Sequence, residues 1–264
     1  MIIPIAVRKG GNGKSTTTNA LAFGLISKGY KVLVVDIDSQ RNQNISFNFF
    51  EEPEYTLYDV LMFQAGLARK GPDIKDCILT FGEGKPDLIP AIEDLTLLDS
   101  LLPSRPNSDY FFRDAIEPIK HQYDFILIDC PPSLNYLPLS VLNAADSVLI
   151  PVTLESLPVR GVSDFINQVS KQVVATGINP KLEVLGVLVT MANTNPILSR
   201  SLLEEIKEQL GDLVFDTMIR RNIALSEAQH MGQDIFSYAP ESNGAKDYLS
   251  FTDEFLSRVR NGKG

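Results

Sequence analysis

Apolar residues follow two different spacings along this chain. Short, nearly continuous apolar runs fall at 2–7, 31–36, 124–129, 146–152 and 184–190, dominated by Ile, Val and Leu as in strands buried on both faces. Between them lie longer stretches, 15–28, 160–175 and 197–210, where apolar positions recur at helical spacing. Strands alternating with helices predict an α/β fold, a mostly parallel twisted sheet with helices on both faces. The stretch from Glu51 to Asn107 is less regular, with Pro, Gly and charge around 69–76 and 82–87, and reads as a variable subregion of the same domain. Gly244 to Arg260 reads as a terminal helix fading into Asn-Gly-Lys-Gly.

Composition narrows this picture. With 264 residues, 44% of them hydrophobic, the chain can fill one α/β core, so 1–264 is expected to be a single domain. Because Met1 leads directly into a core-type strand, no leader peptide and no N-terminal extension able to hold a helix-turn-helix are expected. No run of eighteen apolar residues is present, and the expected location is the cytoplasm. Cys77 and Cys130 are too few for a disulfide framework, and Cys130 reads as a small buried residue.

The first apolar run leads into Lys9-Gly10-Gly11-Asn12-Gly13-Lys14-Ser15-Thr16. Glycines at 10, 11 and 13 let backbone amides turn inward and let phosphate oxygens approach with no Cβ in the way. The helix that follows directs its N-terminal amides at the same anion. A strand, a glycine-rich loop and a helix in this order predict a P-loop NTPase that binds a nucleotide with Mg²⁺, Lys14 reaching the β/γ-phosphates and the Ser15 hydroxyl reaching the metal. The strict pattern has Gly at position 8; this chain has Arg8, and a second lysine at Lys9.

That loop resembles the deviant Walker A motif of the ParA/MinD group of P-loop ATPases, whose signature is the early lysine. Four further segments carry the resemblance. Asp36-Ile37-Asp38-Ser39-Gln40-Arg41-Asn42 is similar to the group's D-x-D-P-Q-G-N, with Ser39 for Pro and Arg41 for Gly. Residues 123–133, YDFILIDCPPS, resemble the Walker B strand of ParA-type partition ATPases, and 143–152, NAADSVLIPV, continue the match. Residues 219–228, IRRNIALSEA, are similar to the family's I-P-R-N-V-R-L-S-E-A.

The resemblance implies an ATPase with ATP and Mg²⁺ as its cofactors. Lys14 and the amides of residues 10–16 bind phosphate, Ser15 ligates the metal, and Asp36 and Asp129 hold its waters. Asp38 is the family's candidate for aligning the attacking water; capping of the following turn is the alternative. Lys9 would reach the phosphates of a second subunit in an ATP-bound homodimer, the alternative being an exposed lysine at a loop entrance. Arg221 and Asn222 match the segment that borders the adenine, and Arg220 stands where the family has proline.

ParA-type proteins bind DNA without sequence preference as ATP dimers, and a ParB-like or other partner stimulates hydrolysis, so nucleoid association is implied. Such binding is phosphate electrostatics. Here 24 Lys and Arg face 33 Asp and Glu, for a net charge of −9. Two family arginines that touch DNA align with Asn195 and Ala224. Arg200, Lys207, Arg220, Lys246, Arg258, Arg260 and Lys263 are the candidate replacements, each also readable as an ordinary surface charge. Two other functions stay open. One is a cargo-positioning or adaptor ATPase with little DNA affinity. The other is a MinD-like membrane cycle, which needs a basic amphipathic C-terminal helix; the stripe in 248–260 includes Asp253 and Glu254 and suits packing on the core better, so no membrane partner is expected.

Overall fold

A computed structural model describes residues 1–153, 159–192 and 196–261. Among the described residues seven strands form one sheet: β1 (Ile2–Ile5), β2 (Val32–Asp36), β3 (Asp87–Ile89), β4 (Phe125–Asp129), β5 (Ser147–Thr153), β6 (Glu183–Ala192) and β7 (Val214–Arg220). Their spatial order is β3-β2-β4-β1-β5-β6-β7, and each neighbouring pair is parallel. The helices are α1 (Lys14–Ser27), α2 (Asn42–Ser46), α3 (Leu57–Gln64), α4 (Leu98–Leu101), α5 (Phe111–Ile116), α6 (Tyr136–Ala144), α7 (Val159–Val169), α8 (Pro196–Leu210), α9 (Ile223–His230), α10 (Ile235–Tyr238) and α11 (Asn243–Asn261).

The central strands feed two cores because successive side chains leave opposite faces of a sheet. Leu33 and Val35 of β2 and Ile126 and Ile128 of β4 join one core, together with Leu57, Phe112, Val141 and Phe165 from the helices on that side. Val32 and Val34 of β2 and Phe125 and Leu127 of β4 join the other, with Leu21 and Leu25 of α1 and Phe251 and Phe255 of α11. Both faces are covered, which is why these strands are continuous apolar runs.

Two strands lie outside the expected runs. β3 is three residues long and sits inside the irregular 51–107 subregion. β7 is at the sheet edge, where Asp216 and Arg220 are exposed and the apolar signal is diluted. The helical pattern at 160–175 divides into α7 and a π-helical turn over Ser170–Val174. The stripe on α11 faces inward: Tyr248, Phe251, Phe255, Leu256 and Val259 are all buried. No helix among the described residues is long and apolar enough to cross a membrane. Cys77 and Cys130 are both buried and unbridged.

Candidate active site

β1, β2 and β4 end together at the carboxyl edge of the sheet, where open parallel sheets bind ligands. The loop leaving β1 carries Gly11 at φ +75° and Gly13 at φ +73°, left-handed values that glycine adopts without strain. A Cβ on Gly10 or Gly11 would meet no atom of the described residues within 4 Å. Its floor is tied down by the ends of β5 and β6. The Thr190 hydroxyl donates to the Asn12 carbonyl at 3.0 Å, and the Thr153 hydroxyl donates to Asn12 Oδ1 at 3.3 Å. Asn12 Nδ2 in turn donates to the Lys9 carbonyl at 3.3 Å. Lys14, opening α1, is buried, whereas Lys9 and Arg8 are exposed. Ser15 and Thr16 are half-buried in the same first turn.

Asp36 and Asp129 end β2 and β4 and stand opposite each other in register. Both are fully buried. Asp36 accepts the Asp38 N–H on Oδ1 and the Gln43 N–H on Oδ2, each at 2.9 Å, so this carboxylate shapes the loop after β2. Burial raises its pKa, as does the charge of Asp129, and the two amides pull it down. Asp129 Oδ2 accepts from Gln43 Nε2 at 2.9 Å, while Oδ1 has no hydrogen-bond partner among the described residues. Burial pushes the Asp129 carboxyl up to about 6, against the pull of the Gln43 amide, the Ser15 hydroxyl and Lys14. A buried carboxylate with an unpartnered oxygen beside a serine hydroxyl is a hard-oxygen donor set, and it fits Mg²⁺.

Asp38 is buried at the loop's turn, where its Oδ1 accepts the Gln40 N–H at 3.0 Å. This is the turn-capping contact weighed against a role in water alignment. Asp38 also lines a cleft of about 370 Å³ with Gln40, Pro131 and Ser133. A second cleft, of about 300 Å³, is lined by Gly13, Thr16, Thr190, Arg221, Asn222 and Ile223. The structure therefore brings the 219–226 segment against the P-loop across 200 residues of chain. Asn222 caps α9, its side chain accepting the Ala224 N–H at 2.9 Å.

Gln43 was not among the candidates. It lies one residue past the Asp36–Asn42 segment, between two asparagines, and nothing local marks it. The structure buries it completely against Asp36, Asp129 and Ser15.

Several candidate DNA-contact residues are committed elsewhere. Arg220 forms a two-point ion pair with Asp247. Arg258 donates to the carbonyls of Asp212, Leu213 and Val214 at 2.9, 3.1 and 2.6 Å and pairs with Glu254. Lys207 pairs with Asp216, Lys246 pairs with Glu241 at 3.0 Å, and Arg260 donates to the Tyr30 hydroxyl at 3.3 Å. Asn195, Lys263 and the side chain of Arg200 lie outside the described residues.

The chain as a whole is similar to proteins of one group. A family model described as an AAA domain matches residues 1–184. The chain is 37% identical over 254 residues to the sporulation initiation inhibitor protein Soj of Bacillus subtilis, covering 96% of this chain and 97% of that protein. It is 34% identical over 262 residues to the chromosome partitioning protein ParA of Caulobacter vibrioides, covering 98% and 95%. Among solved structures, the cobyrinic acid a,c-diamide synthase of Mycobacterium smegmatis with bound ADP and magnesium superposes with a TM-score of 0.81 at 28% identity, covering 99% of this chain and 96% of that one. The chain belongs to this AAA-domain family and, within it, to the ParA-type P-loop ATPases.

Proposed function

We propose that this protein is a Mg²⁺-dependent ATPase of the partition type, an ATP-driven dimerising switch that binds DNA without sequence preference and is reset by partner-stimulated hydrolysis. The observation that carries this reading is the Asp129 carboxylate, buried beside Ser15 and Lys14 with one oxygen unpartnered. Lys14 and the loop amides of residues 10–16 bind the phosphates. Ser15, with Asp129 and Asp36 behind it, would hold Mg²⁺, which would supply charge neutralisation for the phosphate oxygens. Asp38 aligns the attacking water, and Arg221 with Asn222 borders the base in the cleft beside Gly13. Lys9, exposed at the loop entrance, reaches the phosphates of a second subunit, which makes dimerisation depend on bound ATP.

The DNA step is tested with an arbitrary-sequence duplex at low and moderate salt, with ATP, ADP or no nucleotide. Asp38→Ala serves to hold the ATP state. Salt-sensitive binding with ATP alone is the expected result. A second reading is favoured by the pairing of Lys207, Arg220, Lys246 and Arg258 with groups of the same chain. An ATP-dependent dimer that binds no DNA under any condition would overturn the DNA step and favour that second reading, a cargo-positioning or adaptor ATPase working through a protein partner.

A further inference from the structure

Gln43 is fully buried, and its main chain and side chain tie together three segments that are distant in sequence. Its backbone N–H donates to Asp36 Oδ2. Its side-chain Nε2 donates to Asp129 Oδ2 at 2.9 Å and to the Ser15 carbonyl at 2.8 Å. An amide NH₂ has two hydrogens, so both are used. Among the described residues the buried Gln43 Oε1 has no partner, and neither has Asp129 Oδ1. Two unpartnered buried oxygens thus belong to adjacent, hydrogen-bonded side chains next to the Ser15 turn. Leaving such acceptors unsatisfied is unfavourable, and native proteins do so at sites completed by an ion, a water or a ligand.

We propose that Gln43 is a positioning residue for the metal. Its amide nitrogen fixes the Asp129 carboxylate against the first turn of α1, leaving Oδ1 available to the cation shell, and its Oε1 accepts from a metal-bound water. The inference rests on the reading of Ser15 and Asp129 as the metal site. Its physical basis is the usual one for outer-shell groups: a ligating carboxylate is oriented by the donors that hold its other oxygen. Gln43 also sits in the first turn of α2, directly after the loop that begins at Asp36, and that carboxylate takes the N–H groups of both Asp38 and Gln43. A change at the metal therefore bears on the backbone that carries Asp38.

The test uses a fluorescent ADP analogue bound to the full chain and to Gln43→Met and Gln43→Ala, titrated with MgCl₂ and repeated in EDTA. Methionine keeps the length and volume of glutamine and removes its donors and acceptor, so it separates the amide's role from packing. Thermal melting without nucleotide checks that each variant folds. In both variants the MgCl₂ needed for half-maximal tightening should rise about tenfold or more, with affinity in EDTA unchanged. An unchanged MgCl₂ requirement overturns the inference, and so does a loss of affinity equal in size with and without metal, which is the signature of a purely structural residue. A parent protein whose nucleotide affinity does not respond to MgCl₂ overturns the metal-site reading itself.

Discussion

Arg220 and Asp247 close a two-point clamp, Nε to Oδ2 at 2.9 Å and Nη2 to Oδ1 at 2.6 Å, and the Arg220 N–H adds a third bond to Oδ2 at 3.0 Å. The clamp fixes the last residue of β7 to α11 immediately before Arg221 and Asn222 enter the cleft beside the P-loop. A proline at 220, as the family pattern has, could make none of these bonds.

Asp247→Ala removes every acceptor in the clamp. The Asp247 side chain is 12% exposed and that of Arg220 is 45% exposed, so the loss lies between that of a buried pair and a surface pair. The expected destabilisation is about 2 kcal/mol. Nucleotide affinity should weaken as well, because the wall of the cleft loses its tether. Asp247→Asn keeps the shape and one acceptor and should lose less of both. Thermal melting and nucleotide titration read the two effects, and an alanine variant that melts with the parent would mean that the clamp contributes nothing.

Gly24 marks the closest approach of α1 to α11. A Cβ at that position would overlap Thr252 Oγ1 and lie 3.3 Å from the Thr252 Cβ and Cγ2. Two effects of Gly24→Ala oppose each other. Helix propensity favours alanine by about 1 kcal/mol, and overpacking a fully buried contact costs about 1–3 kcal/mol. Thr252 is fully buried, with its hydroxyl bonded to the Tyr248 carbonyl at 2.8 Å, so it has little room to yield and the steric cost wins. The variant should therefore melt lower than the parent, and the double variant Gly24→Ala with Thr252→Ala should recover most of the loss. A single variant more stable than the parent would show that the two helices can slide apart.

Much of this architecture is legible in the chain. β1, β2 and β4 are readable because burial on both faces removes polar residues from them, and the P-loop because glycine at 11 and 13 answers a backbone requirement that few other residues meet. β7 escapes notice because an edge strand keeps residues such as Asp216 in solvent, and β3 because three residues are too short for any periodicity. Gln43 is invisible for a different reason. Its partners Ser15 and Asp129 are 28 and 86 positions away, and its role exists only once the sheet has brought them together. Arg258 shows the converse. Its charge is plain in the sequence, but the carbonyls of residues 212–214 that absorb it are not.

Asp129 gives the site a pH dependence whose sign can be worked out. Burial lifts its pKa from 3.8 to about 6, with the Asp38 charge adding to the rise and Gln43, Ser15 and Lys14 opposing it. The folded protein therefore holds this proton more tightly than the unfolded chain does. Its contribution to stability is fully present below about pH 4 and is lost as pH rises through about 6, a swing of order 3 kcal/mol. Asp36, raised by burial and by the Asp129 charge, acts in the same direction. Asp129→Asn mimics the protonated form at every pH, so its stability relative to the parent should increase across this window, which denaturant unfolding at a series of pH values measures. A cation competes with the proton for the same carboxylate. Mg²⁺-dependent tightening of nucleotide should accordingly weaken below about pH 6 in the parent. A stability difference between parent and Asp129→Asn that stays flat from pH 4 to pH 7 would show that the carboxyl titrates as it does in water, and that a residue other than Asp129 sets the pH dependence of the site.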